Sequence, residues 1–171
     1  MRVGIIALAG LVAGLGSVIA QVEFKQYASS AGRYKVIFPG PVKSETFDVT
    51  MDKVCLKITA DSVELRGGTS FLVTFVDAPE DVAKSPPGPR FDKVRDAIKG
   101  EKGKVLEDKE LMIGVENHPA RDILIEHGDT CIRNRIVIAG SRLYQVMVQG
   151  TKEVVTSSSA DKFLESFEVT K

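Results

Sequence analysis

The side chains suited to chemistry are few, and their spacing says what they could do. His118 stands in the stretch Asn117-His118-Pro119-Ala120-Arg121, directly after Glu116. A catalytic histidine needs a nucleophile or a carboxylate within hydrogen-bond reach, inside a pocket. Glu116 is a neighbour in sequence, which does not make it a neighbour across a pocket. Pro119 drives His118 out of the helical region toward an extended backbone, and Asn117 favours a turn. The stretch therefore reads as a loop tip that starts a strand over Ala120–Glu126. His127, before Gly128-Asp129, reads in the same way as a reversal between strands. The two histidines are nine positions apart, and neither CxxC nor HxxxH occurs, so no metal site is expected.

A better binding candidate is Cys131-Ile132-Arg133-Asn134-Arg135-Ile136. On strand alternation Ile132, Asn134 and Ile136 share one face, and Cys131, Arg133 and Arg135 the other. Lys57 lies on the Cys55 face of another strand, and Arg142 opens the strand that follows. If these faces coincide, Arg133, Arg135, Lys57 and Arg142 form a basic patch able to hold a carboxylate or phosphate group. The alternative is a solvated or ion-paired sheet face, because 23 basic residues are balanced by 23 acidic ones. That balance also removes the global field that would draw in nucleic acid. The motifs GxSxG, HExxH, GxGxxG and the P-loop are all missing, so neither a catalytic centre nor a cofactor is expected.

The N-terminus gives the clearest signal. Arg2 precedes a run of Val, Ile, Ala, Leu and Gly without charge through Ala20, ending Val18-Ile19-Ala20. This is the pattern of a secretory signal peptide, residues 1–20, cleaved after Ala20. An uncleaved N-terminal anchor is the alternative, although the run is near the lower length limit for a span. No later segment is long and apolar enough to cross a bilayer as a helix. Export to a periplasmic or extracellular location exposes Cys55 and Cys131 to an oxidising compartment, so they could pair in one disulfide. Closing so long a loop would stabilise the fold by roughly 4 kcal/mol in the chain-entropy picture. Two unpaired thiols on separate strands is the other reading.

The elements that must position these residues are mostly strands. Tyr34, Val36 and Phe38 alternate with Lys35 and Ile37 and stop at Pro39-Gly40; a short strand follows over Ser44–Thr50. Leu56, Ile58 and Ala60 share one face of the next strand, with Cys55, Lys57 and Thr59 on the other. Gly67-Gly68 reverses the chain, and Phe71, Val73 and Phe75 return in phase. Ala78–Arg90, rich in proline and charge, reads as a mobile or functional loop. Phe91, Val94 and Ile98 at helical spacing predict a helix ending near Gly100 or Gly103. A strand, with a bulge as one reading, follows over Lys104–Glu116. Three more strands end at Gly128, Gly140 and Gly150, forming an antiparallel meander. A serine-capped helix carrying Phe163, Leu164 and Phe167 closes the chain. The expected fold is α+β: one antiparallel β-sheet flanked by two main helices, in a single domain spanning residues 21–171.

Several of these landmarks resemble a known group. Gly32-Arg-Tyr-Lys-Val-Ile-Phe-Pro-Gly40, Asn117–Glu126, Ser141–Gly150 and Asp161–Val169 are similar, in order and spacing, to motifs of small exported bacterial proteins of uncharacterised function. Their fold is PsbP-like, an α/β/α sandwich shared by the extrinsic photosystem subunit PsbP and a Ran-binding nuclear transport factor. Here Asn117 and Ala120 replace the glycines expected around His118-Pro119, and Ala120 cannot adopt positive φ cheaply. The resemblance implies binding or assembly proteins without a shared catalytic centre. Together with the leader and the basic candidates, the expectation is an exported, non-enzymatic module of the cell envelope, acting on an unknown protein or an anionic small molecule through Ala78–Arg90 or the Arg133/Arg135 face. The competing class is a small secreted hydrolase or lyase with an unrecognised cleft. It would require a deep pocket with convergent polar groups that include a histidine.

Overall fold

The computed structural model describes residues 23–51 and 54–171; the leader expected over residues 1–20 lies outside them. Seven antiparallel strands form the main sheet: β3 (Lys43–Met51), β4 (Val54–Leu65), β5 (Thr69–Asp77), β6 (Lys104–Ile113), β7 (His118–His127), β8 (Thr130–Ala139) and β9 (Arg142–Gly150). Their spatial order is β3-β4-β5-β9-β8-β7-β6. A second, three-stranded sheet places β2 (Tyr34–Phe38) between β1 (Lys25–Ser29) and β10 (Glu168–Val169). The expected single sheet is thus corrected to two. β1 reads Lys-Gln-Tyr-Ala-Ser, with one large apolar residue, and β10 has only two residues, so neither shows an apolar alternation in sequence.

The turns follow the residues that allow them. Gly67 and Gly68, both at positive φ, reverse β4 into β5, and two-residue turns join β7 to β8 and β8 to β9. Asn117 takes φ 52° in the turn from β6 into β7, a conformation that asparagine tolerates. Ala120 needs no such geometry: it is a buried β7 residue opposite Leu111 and Val137. The irregularity foreseen in β6 is a bulge between Val105 and Glu107.

The helices cover the two faces of the main sheet. Helix α2 (Pro87–Lys99) starts with proline at its first position, where the missing N–H costs nothing, and ends at Gly100. It buries Phe91, with Val94 and Ile98 alongside, against Ile123, Ile125, Ile136 and Ile138. Arg121 fastens it laterally: its guanidinium reaches Asp92 at 2.6 Å and Glu110 at 2.8 Å and lies 5.5 Å from the Phe91 ring centroid. On the opposite face α4 (Ser158–Glu165), capped by the Ser157 hydroxyl accepting from the Ala160 N–H, buries Phe163 and Leu164. Those side chains meet Phe38 and Phe71, while Tyr34 packs on Phe75, Tyr144 and Phe167. Single-turn helices α1 (Glu80–Ala83) and α3 (Lys152–Val155) fill connections. The expectation of a long irregular loop over Ala78–Arg90 is therefore corrected. Pro79 and Pro86 each precede a helical start, so the prolines mark N-termini and α2 absorbs the last four residues.

Candidate functional site

The four basic candidates, Arg133, Arg135, Lys57 and Arg142, do share one face of the main sheet, the face toward α4, yet they do not assemble into a patch. The Nη1 of Arg133 donates to Asp161 Oδ1 at 2.6 Å and to the Val155 carbonyl at 3.3 Å. Arg135 grips both Asp122 oxygens at 2.7 and 2.8 Å and donates to the Leu164 carbonyl at 3.0 Å, near the C-terminal end of α4. Arg142 makes the same two-pronged contact with Asp77, both at 2.7 Å, and ties down the β1–β2 turn through the Ala31 carbonyl at 2.8 Å. The Arg142 contact holds the Asp77 carboxyl below the usual carboxylate range. Lys57 stands on β4, separated from β8 by β5 and β9. The arginines are therefore internal clamps between layers, and the candidate patch is corrected to the ion-paired sheet face that was its alternative. Their partners on α4 and β7 carried no sequence signal.

The possible disulfide is also corrected, in favour of the two unpaired thiols that were the other reading. Both cysteines are free, Cys55 exposed and Cys131 buried. Register explains why. Ile132, next to Cys131, aligns through Gln149 and Ser70 with Glu64 of β4, nine residues from Cys55. That offset is about 30 Å along the strands and about 14 Å across them, far beyond the reach of a disulfide. Burial raises the pKa of the Cys131 thiol.

The two histidines sit at opposite ends of β7, about 30 Å apart at strand rise. His127 lies with Nε2 3.1 Å from the Ile98 carbonyl, bridging β7 to the end of α2. Gly103 passes directly beneath it: a Cβ there would stand 2.3 Å from the Lys99 carbonyl and 2.6 Å from the imidazole. His118 does line an opening, a cleft of about 790 Å³. One wall is Ile113–Glu116 with His118; the other is Glu165–Lys171, the end of α4 with β10. His118 Nε2 is 3.6 Å from Glu116 Oε2, and Lys171 Nζ is 3.6 Å from Glu116 Oε1. Ser166, the hydroxyl that could suggest a nucleophile, is engaged on both sides: it donates to the Phe163 carbonyl at 2.7 Å and accepts from the Ile37 N–H at 3.0 Å. Val115, at the tip of the first wall, is fully exposed.

A second unforeseen feature lies beneath the small sheet. Asp61 of β4 is completely buried and opposite Val73. The Tyr34 hydroxyl donates to its Oδ2, while Oδ1 has no protein partner. Burial first, then the Asp61 carboxylate, pushes the Tyr34 phenol up, and the same two causes raise that of Tyr27 on β1. Through Tyr34, Asp61 thereby pins β2 onto the main sheet. It lies on the odd-numbered face of β4 with Thr59 and Val63, which enters the core at Asp61 and Val63; nearer the start of the strand the same face is open, with Cys55 and Lys57 exposed, while Leu56, Ile58 and Ala60 are half-buried.

A two-sheet body with helices over both faces of an antiparallel seven-stranded sheet decides the fold. The fold is PsbP-like. The solution structure of cyanobacterial PsbP (CyanoP) from Synechocystis sp. PCC 6803 is similar to this chain with a TM-score of 0.58 and 14% identity, over 91% of this chain and 98% of that one. No family model matches the sequence, and no curated protein matches it. Among the described residues no helix is long and apolar enough to cross a membrane.

Proposed function

We propose that this PsbP-like protein is an exported, non-enzymatic binding or assembly module of the cell envelope, and that it docks its partner in the cleft between the β6–β7 turn and β10. The N-terminal leader supports export, and the sequence resemblance supports an assembly role. The observation that carries the reading is the make-up of the cleft. Its walls present a strand edge, carboxylates and the exposed Val115, while its one hydroxyl close to a helix end, that of Ser166, holds the local backbone. Such a lining suits recognition better than acyl or proton transfer, which needs a free nucleophile beside a base. The Arg133/Arg135 face and the Ala78–Arg90 segment, being internal clamps and helix starts, support the reading less.

Photo-crosslinking in the native compartment tests it. A crosslinkable side chain at Val115 should capture a discrete partner, and the capture should vanish when Glu116 and Glu165 are both changed to glutamine. A probe at Thr74, on the opposite face of the main sheet, should capture nothing comparable. Equal capture from both positions would refute the docking site. Turnover of an acyl or glycosyl substrate that is lost in His118→Ala would replace the reading with the hydrolase or lyase class.

A further inference from the structure

The small sheet is unfinished on the side that borders the cleft. Strand order β1-β2-β10 leaves β10 at the edge. The Thr170 N–H donates to the Arg33 carbonyl at 2.8 Å, and Glu168 stands opposite Lys35. In an antiparallel ladder the residues that exchange hydrogen bonds with a given neighbour alternate. Thr170 and Glu168 therefore face β2, and the N–H and C=O of Val169 point away from it, into the cleft that Val169 lines. Among the described residues that donor–acceptor pair has no partner strand, and such a pair on an edge strand is a template for another strand.

The charge of the cleft narrows what that strand would carry. Glu116, Glu165 and Glu168 line it against one ammonium, that of Lys171. Glu116 meets Lys171 and Glu168 meets Lys35 at 3.0 Å, whereas Glu165 forms no ion pair among the described residues. The facing wall adds apolar contact through Ile113 and the exposed Val115, and its turn is fixed by Gly114 at φ 70° and Asn117 at φ 52°.

We infer that β10 accepts an extended, cationic segment of a protein partner as a fourth strand of the small sheet, with a lysine or arginine seated toward Glu165 and an apolar residue against Val115. This rests on the binding-module reading and names the partner's chemistry. Backbone hydrogen bonds to Val169 would hold the segment, and side chains of alternate residues would set its specificity.

Fluorescence anisotropy with a labelled, end-capped Val-Lys-Val-Lys-Val-Lys-Val peptide tests the inference on the whole chain. Saturable binding is expected. It should weaken about fivefold in Glu116→Gln/Glu165→Gln, as expected for two part-exposed charge contacts. The same peptide N-methylated at every residue keeps its charge but has no backbone N–H left on either edge to donate, and it should not bind. A peptide with glutamates for lysines should not bind either. Absence of saturable binding, or equal binding of the N-methylated peptide, overturns the inference. If the peptide arms fail while crosslinking at Val115 still captures a partner, only the strand mode falls. If both fail, the module reading falls with it.

Discussion

Removing the Tyr34 hydroxyl should reveal how strongly the two sheets are pinned together. In Tyr34→Phe the ring still packs on Phe75, Tyr144 and Phe167, but Asp61 loses its donor. Because Oδ1 already lacks a partner and the residue is fully buried, neither oxygen would then be satisfied within the protein. A buried acceptor stripped of its partner costs about 1–3 kcal/mol, and more when charged, so a loss of about 3 kcal/mol is expected. With a urea m-value of about 2 kcal/mol/M, the unfolding midpoint should fall by about 1.5 M. The informative variant is the double one, Tyr34→Phe/Asp61→Val. Valine suits a strand position opposite Val73 and removes the polar group altogether, and replacing both partners by apolar groups is often nearly neutral. The double variant should therefore be more stable than Tyr34→Phe alone, a coupling of at least about 2 kcal/mol of opposite sign to the single losses. Equilibrium urea unfolding followed by circular dichroism measures all four corners of the cycle. If the two substitutions add, or if Tyr34→Phe costs less than about 1 kcal/mol, Asp61 is satisfied in some other way and the pinning argument fails.

Other predictions follow from the same contacts. Native alkylation should label Cys55 alone, and Cys131 only after unfolding, with no mass shift on reduction; a disulfide in the purified protein would contradict the strand register. Asp122→Ala, which strands the buried Arg135 guanidinium, should cost about 3 kcal/mol in urea unfolding. Arg133→Met should cost about 1 kcal/mol or less, because its partner Asp161 is half-exposed. The reverse ranking would show that Arg135 is not the structural clamp. Arg90 on α2 is 6% exposed, with Nε and Nη2 lacking partners, and desolvation lowers its pKa. Arg90→Met should thus be neutral or stabilise by about 1 kcal/mol, and a clear destabilisation would mean that the guanidinium has a partner of its own.

Much of the fold was legible because local patterns and burial agree. Tyr34, Val36 and Phe38 alternate and are buried in turn; Gly67-Gly68 makes its hairpin; Phe91, Val94 and Ile98 lie on the buried stripe of α2; and the stretches that resemble the PsbP-like group fall on β2, β7, β9 and α4. Those stretches also proved structural in detail: Arg121 fastens α2, and Asp122 receives Arg135. The misreadings share a cause, which is that a pattern along the chain does not say what lies across from it. In β4 burial changes along the strand: Cys55 and Lys57 are exposed, yet Asp61 and Val63 on the same face are buried under the small sheet. Arg133 and Arg135 look like a free pair until α4 and β7 supply carboxylates. The cleft joins Ile113–His118 to Glu165–Lys171, about fifty residues apart, so no local motif could mark it. Its one hint was Val115, an apolar residue in the middle of a turn.

The central claim is that recognition takes place at the end of the body where β10 borders the β6–β7 turn. The most direct measurement is an amide proton–nitrogen correlation spectrum of the labelled protein titrated with the cationic strand peptide. Shifts should concentrate at Gly114–His118 and Glu165–Lys171, with the Val169 amide moving most. Shifts centred on Arg133 and Arg135, or spread evenly over the surface, would contradict it.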